Sequence, residues 1–205
     1  MSSVDKLIEI FRNFPGIGPR QAKRFVYYLL TRNAGTLEEL SRLILELKKE
    51  IKICGSCYRF FSKDASKSSL CEICRDEHRD KTFLMIVSKD VDLETIEKSH
   101  SYSGLYFVIG GSIPILEKEP DKQIRGKELL LAIEKKVAGG LKEIILALNL
   151  NPEGENTSDY LEKLLSPIAV KNNIKISTLG RGLSTGTELE YSDADTIKNA
   201  FRNRE

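Results

Sequence analysis

The 205 residues carry 32 Lys and Arg against 30 Asp and Glu, a net charge of +2, with 40% hydrophobic and 30% charged residues. No apolar run approaches the roughly 20 residues a membrane span needs, and the acid-bearing, amphipathic start MSSVDKLIEIF is unlike a secretory leader, so a cytoplasmic globular chain is expected. The length allows one medium domain or two small ones, and the overall charge by itself names no partner.

The first 50 residues read as helical. Val4, Leu7, Ile8 and Phe11 recur on one helical face. The run Phe14-Pro15-Gly16-Ile17-Gly18-Pro19 breaks that pattern. Helical spacing resumes with Ala22, Phe25, Val26, Leu29 and Leu30, and a third helix carries Leu37, Leu40, Ile44, Leu47 and Ile51 after Thr36 as its N-cap. Lys6, Arg12, Arg20, Lys23, Arg24 and Arg32 face only Asp5 and Glu9 within residues 1–35. This head is therefore net +4 and the remainder −2, which points to a localised anionic partner.

The break between the first two helices has a specific chemical sense. Glycine permits the backbone angles of a tight turn, and Pro19 suits the first position of the following helix. Amides near that helix start then point outward as anion donors. Arg20, Lys23, Arg24 and Tyr27 are spaced i, i+3, i+4, i+7, on the face opposite the apolar stripe. A turn with free amides beside a basic stripe can grip a phosphate backbone without reading bases. The alternative is an ordinary helical hairpin with a solvated charged face. Gly16, Gly18, Arg20, Lys23 and Arg24 are the candidate DNA-binding residues.

Cys54-x-x-Cys57 and Cys71-x-x-Cys74 follow, the chain's four cysteines within 21 residues. A two-residue gap lets one turn aim two thiolates at a point, and the 13 residues between the pairs allow a hairpin to bring the second pair back. That geometry suits tetrahedral Zn²⁺, one per chain. A four-thiolate site has no open position, so it would hold structure and not catalyse. The segment from Tyr58 to Leu70 is polar and would take the metal as its core. Two disulfides or four unrelated thiols are the other readings, and no oxidising compartment is expected. His78 is read as a surface residue and not a fifth ligand.

From residue 82 four apolar runs appear: 83–87, 105–109, 144–148 and 174–179, the last broken by Lys175. The first three are continuous, as strands buried on both faces are. Helical candidates lie between and after them at 92–99, 127–138 and 156–171, with Gly139-Gly140 stopping the second. Alternating strand and helix implies a parallel α/β sheet. The tail from Arg181 opens with a Gly/Ser/Thr loop and ends in a short helix from Asp193.

These features in this order resemble the RecR family of bacterial recombination mediators. FPGIGPRQAKRFVYYLL resembles its helix-hairpin-helix motif, CGSC…CEIC its zinc finger, and YSGLYFVIGGSIPIL, EIILALNLNPEGENTSDYLEKLL and RGLSTGTELEYSDADTI successive stretches of its Toprim domain and C-terminal segment. The expected fold is α+β in several parts: a helix-hairpin-helix region at 1–51, a four-cysteine zinc finger at 52–80, an α/β Toprim domain with a central parallel sheet at 82–177, and a C-terminal assembly segment at 178–205. The resemblance implies a non-enzymatic DNA-repair protein that assembles as dimers and tetrameric rings. It implies RecO, and in many bacteria RecF, as partners in loading RecA at single-strand gaps. Arg20 and Arg24 fall on the basic positions that the family uses for DNA; Lys23 is added by the helical face.

The departures bear on chemistry. Metal-binding Toprim enzymes place a glutamate after the first strand and an Asp-x-Asp pair after a later one, and the family keeps that first glutamate. Here the aligned residues are Ile86-Val87-Ser88. Asp90 and Asp92 are nearby but start a helix, where they favour its positive end. At the second place stand Asn149 and then Glu153-Gly154-Glu155. Asp92, Glu153 and Glu155 form a candidate acidic site that either attracts a cation, meets an acid-seeking partner or lies on a solvated loop. Two-metal phosphoryl chemistry lacks a ligand at Ser88. The alternative function is a metal-dependent Toprim enzyme acting on DNA, of nuclease, primase or topoisomerase type. No phosphate loop of the G-x-x-x-x-G-K-[ST] kind occurs, and Gly180-Arg181-Gly182 and Gly186 are too scattered to form one. Self-association is expected through both ends: the helical head has a thin core, and the tail offers Leu183, Leu189, Tyr191 and Phe201 on a segment too short to bury them.

Overall fold

The computed structural model describes residues 1–63, 68–180, 182, 183, 186 and 188–202, without the side chain of Asp195. Residues 64–67 of the expected zinc hairpin, and Arg181, Ser184, Thr185 and Thr187 of the expected C-terminal loop, lie outside the described residues, as do 203–205. The chain divides into two compact units, Met1–Ile51 and Lys52–Glu205.

In the first unit, α1 (Ser3–Arg12) is capped by Ser2, whose hydroxyl accepts from the Asp5 N–H at 3.2 Å while the Asp5 carboxylate accepts from the Ser2 N–H at 2.9 Å. This reciprocal pair satisfies two amides that a helix start leaves open. α2 (Pro19–Leu30) packs on α1 through Ala22 and Val26, both fully buried, and Phe11 meets Phe25 with ring centroids 5.8 Å apart. α3 (Ala34–Glu50) starts earlier than its Thr36 suggested. Asn33 is the N-cap, and its side-chain oxygen accepts from both the Thr36 N–H and the Thr36 hydroxyl. Thr36 is thus the residue that is capped. α3 buries no residue, so the core of this unit is small.

The second unit begins within β1 (Ile51–Ile53), which pairs with β2 (Phe60–Ser62) and is followed by the single turn α4 (Glu72–Arg75). Then come β3 (Asp80–Val87), α5 (Asp90–Lys98), β4 (Gly104–Val108), α6 (Gly126–Val137), β5 (Glu143–Ala147), α7 (Pro152–Asn172) and β6 (Lys175–Thr178). The last four strands form a parallel sheet in the order β4-β3-β5-β6. Side-chain alternation along β3 splits the core in two. Leu84 and Ile86 face one cluster with Leu129 and Ile133 of α6 and Leu161 and Leu165 of α7. Met85 and Val87 face another with Leu93 of α5 and with Cys54, Cys57, Phe61, Cys71 and Ile73. Each fully buried Leu or Ile in such a layer contributes roughly 1.5–3 kcal/mol by transfer from water.

The cysteine segment therefore has an apolar core, shared with the sheet, beyond the metal expected to serve as one. β4 is an edge strand, yet all five of its residues are buried, because that segment lies along it. The Val108 N–H donates to the Cys57 carbonyl at 2.8 Å, the Tyr58 ring meets Phe107 in a tilted contact at 5.2 Å, and Arg79 donates to the Gly104 carbonyl at 3.2 Å.

α7 begins four residues ahead of its expected start. Asn151 caps it through the Gly154 N–H at 2.8 Å, and Pro152 occupies its first position. Gly154 reads as a loop residue, but a Cβ there would lie 2.0 Å from the Asn149 carbonyl oxygen. The glycine serves close packing and not flexibility. The tail forms a 3₁₀ turn at Leu189–Tyr191 and then α8 (Ala194–Arg202), with the Asp193 carboxylate accepting from the Thr196 N–H at 2.9 Å.

Candidate metal centre and nucleic-acid interface

The first cysteine pair sits on a turn in which the Tyr58 N–H donates to the Cys54 carbonyl at 3.1 Å and Tyr58 takes a left-handed φ of 62°. The second pair sits on α4, where Cys71 is the N-cap and Cys74 lies one turn on. The Gly55 N–H reaches the Ser69 carbonyl at 2.9 Å and ties the two turns together. The four Sγ atoms lie within 4.8 Å of one another, with Cys54, Cys57 and Cys71 buried and Cys74 half-buried. A Zn–S distance of about 2.3 Å implies tetrahedral S···S edges of about 3.8 Å, and the Cys57–Cys71 sulfurs are 3.6 Å apart. The Cys71 N–H donates to the Cys54 sulfur at 3.4 Å, a bond that favours a thiolate. Cys57 is pushed up by its hydrogen bond to Cys54 and by contact with the other two sulfurs, while Cys54 is held low by accepting from them. Four thiols so close cannot all ionise unaided, whereas a divalent cation between them would let them. The residues present fit a structural divalent ion, and the buried set offers no open coordination position.

Among the described residues these cysteines are the one group of three or more Cys, His, Asp or Glu side chains whose ligand atoms converge. Asp92, Glu153 and Glu155 are not brought together in that way. The Asp92 carboxylate accepts from the Lys89 N–H at 2.9 Å at the start of α5. Glu153 and Glu155 lie in the first turn of α7, on a helix and not on a loop. Ser88, at the end of β3, is fully buried. Asp90 accepts from the Phe60 N–H at 2.7 Å and so fastens α5 to β2. The His78 side chain is 98% exposed and contacts Asp76.

In the head, Gly16 adopts φ +74°, which a side chain would strain. Gly18 differs: it has φ −80° as the N-cap of α2, and a Cβ there would meet nothing within 4 Å. Nothing within the fold requires a glycine at that position. Gly18 offers no side-chain cap, so the first-turn amides of Arg20 and Gln21 remain available to a ligand. Arg20, Lys23, Arg24 and Tyr27 are all exposed on the outer side of α2, and the Lys23 ammonium lies 5.8 Å from the Tyr27 ring centroid.

Sequence reasoning missed Arg59, which lies beside the cysteines and pairs with Glu72 at 2.8 Å. A cation two residues beyond a thiolate pair is a readable signal. It also missed the Arg79–Glu97 pair, whose partners are 18 residues apart and meet only in the folded chain.

Two family models match the chain: one described as "RecR, helix-hairpin-helix" over residues 4–48, the other as "Toprim domain" over residues 82–180. The curated relatives include proteins named "Recombination protein RecR" from three bacteria. That of Desulforudis audaxviator is 35% identical over 98% of this chain and 96% of its own length. That of Chlorobium luteolum is 34% identical over 99% and 96%. That of Moorella thermoacetica is 36% identical over 98% and 95%.

Proposed function

This chain belongs to the RecR family of recombination proteins, and on that premise we propose that it is a non-enzymatic DNA-binding mediator of recombination and repair. The observation that carries the reading is the start of α2: uncapped amides and an unhindered Gly18 beside exposed Arg20, Lys23 and Arg24. A phosphate can approach that backbone closely and meet three cations at once. The four cysteines hold one structural Zn²⁺ per chain. Ser88 supports a binding role over Toprim catalysis, because a buried hydroxyl stands where such enzymes place a metal-ligating carboxylate.

The mediator acts in the cytoplasm at the nucleoid. No helix of the described residues is long and apolar enough to cross a membrane. It works with RecO, and with RecF where present, to load RecA at single-strand gaps, and it self-associates into a dimer or ring around DNA. Two apolar surfaces support self-association: α3 exposes Leu43, Ile44, Leu45 and Leu47, and the tail exposes Leu183, Leu189, Tyr191 and Phe201. Two different contacts on one chain are what closing a dimer of dimers requires. Asp92, Glu153 and Glu155 remain candidates for an acid-seeking partner.

The test is DNA binding by fluorescence anisotropy across a salt series. Changing Arg20 and Arg24 together to alanine is expected to weaken binding and to lower the slope of log affinity against log salt by about two. The labelled DNA should return intact from incubation with Mg²⁺ or Mn²⁺. An unchanged affinity and slope, or a divalent-dependent DNA product, would overturn the reading.

A further inference from the structure

We propose that Tyr27 is a stacking residue for unpaired bases, so that the hairpin binds single-stranded DNA in preference to duplex. The inference rests on the phosphate-binding reading of the same stripe and deepens it. Ala22 and Val26 define the buried side of α2. Tyr27 lies away from them, one turn beyond Lys23 and two beyond Arg20, and is 53% exposed. An aromatic ring inside a basic stripe, away from the buried side of α2, adds little to the core of this unit. Two kinds of partner would cover it: a second copy of this surface, or an anion that also carries flat faces. A second copy would set Arg20, Lys23 and Arg24 against their own like charges in an isologous contact. Single-stranded DNA offers what the stripe lacks on both counts, with phosphates for the cations and exposed base faces for the ring.

The neighbouring Tyr28 is less suited. The Arg32 guanidinium lies 4.2 Å from its ring centroid and already covers one face. Over Tyr27 the Lys23 ammonium stands off at 5.8 Å, near the outer limit of such contacts, which leaves room for a base. A base on Tyr27 and its phosphates on Arg20 and Arg24 would then sit within two helical turns of one another.

The experiment uses the full chain at low salt and three labelled probes: a single strand, an abasic strand of equal length and charge, and a blunt duplex. Wild type is expected to prefer the intact single strand over both others. Tyr27→Ala should lose about tenfold on the intact strand, erase the preference over the abasic strand and leave duplex affinity unchanged. Tyr27→Phe should bind as wild type does. Equal wild-type affinity for intact and abasic strands overturns the proposal, and that arm needs no variant. A Tyr27→Ala loss that is the same on all three probes, or no loss, overturns it as well. Failure of the underlying reading has a different signature: the Arg20/Arg24 double variant binds every probe as wild type does, or wild type binds none, and stacking at this stripe falls with it.

Discussion

Arg79 and Glu97 illustrate a residue-scale effect with a pH signature. Arg79 donates to the Glu97 carboxylate at 2.7 Å and to the Gly104 carbonyl at 3.2 Å. The hydrogen bond from Arg79 holds the Glu97 carboxyl below the ordinary glutamate range. A carboxyl depressed by folding stabilises the folded state fully at pH values above its unfolded pKa, and that stabilisation is lost as pH falls through the folded value. Thermal midpoints of wild type and Glu97→Gln should therefore differ most near neutrality and converge in acid. A gap that stays constant down to acid pH would show that the pair contributes through packing alone. Ser88 and Gly18 carry their information by what they lack, a carboxylate in one case and any side chain in the other. Both can be picked out in the sequence. That Ser88 is buried, and that Gly18 stands in open space, required coordinates.

At the scale of elements, the cysteine segment is the part most dependent on something besides its own chain. Metal bound to four thiolates is worth on the order of 10 kcal/mol to a small module, far more than the one buried aromatic, Phe61, that β2 supplies. Cys57→Ser or Cys74→Ser, or a strong chelator, should release about one zinc per chain. Amide protection should collapse between β1 and α4 while the Leu84, Ile86 and Leu165 layer stays protected. Hydrogen exchange by mass spectrometry together with elemental analysis reads both. Freshly purified, unchelated protein without zinc would refute the assignment. The segment's cysteine spacing was legible because ligand geometry is local. Its attachment to the sheet was not, since the Cys57 carbonyl meets Val108 across 51 positions of chain. Three of the four strands in the parallel sheet were legible as continuous apolar runs for the same local reason. Helix starts were less so: Asn33 and Thr36 are both good caps by composition, and backbone geometry selects the first.

For the whole molecule, exposed apolar surface is the governing quantity. Ile44 is 57% and Leu45 68% exposed on α3, which buries nothing, and a stable monomer rarely leaves so much of one helix in water. Light scattering over a concentration series should give a mass above the 23.1 kDa of one chain, and Ile44→Asp with Leu45→Asp should lower it. A strict monomer at high concentration, with and without DNA, would remove the proposed ring and leave a small DNA-binding adaptor. The covered edge of the sheet has a consequence of another kind. β4 is buried along its whole length, and along its outer rim it meets the Cys57 turn and not a fifth strand. Once the metal is lost and that turn lets go, the strand becomes an open template for pairing with the same strand of another chain. If the site holds zinc as proposed, chelation should be seen first as turbidity and only afterwards as loss of the proposed DNA binding.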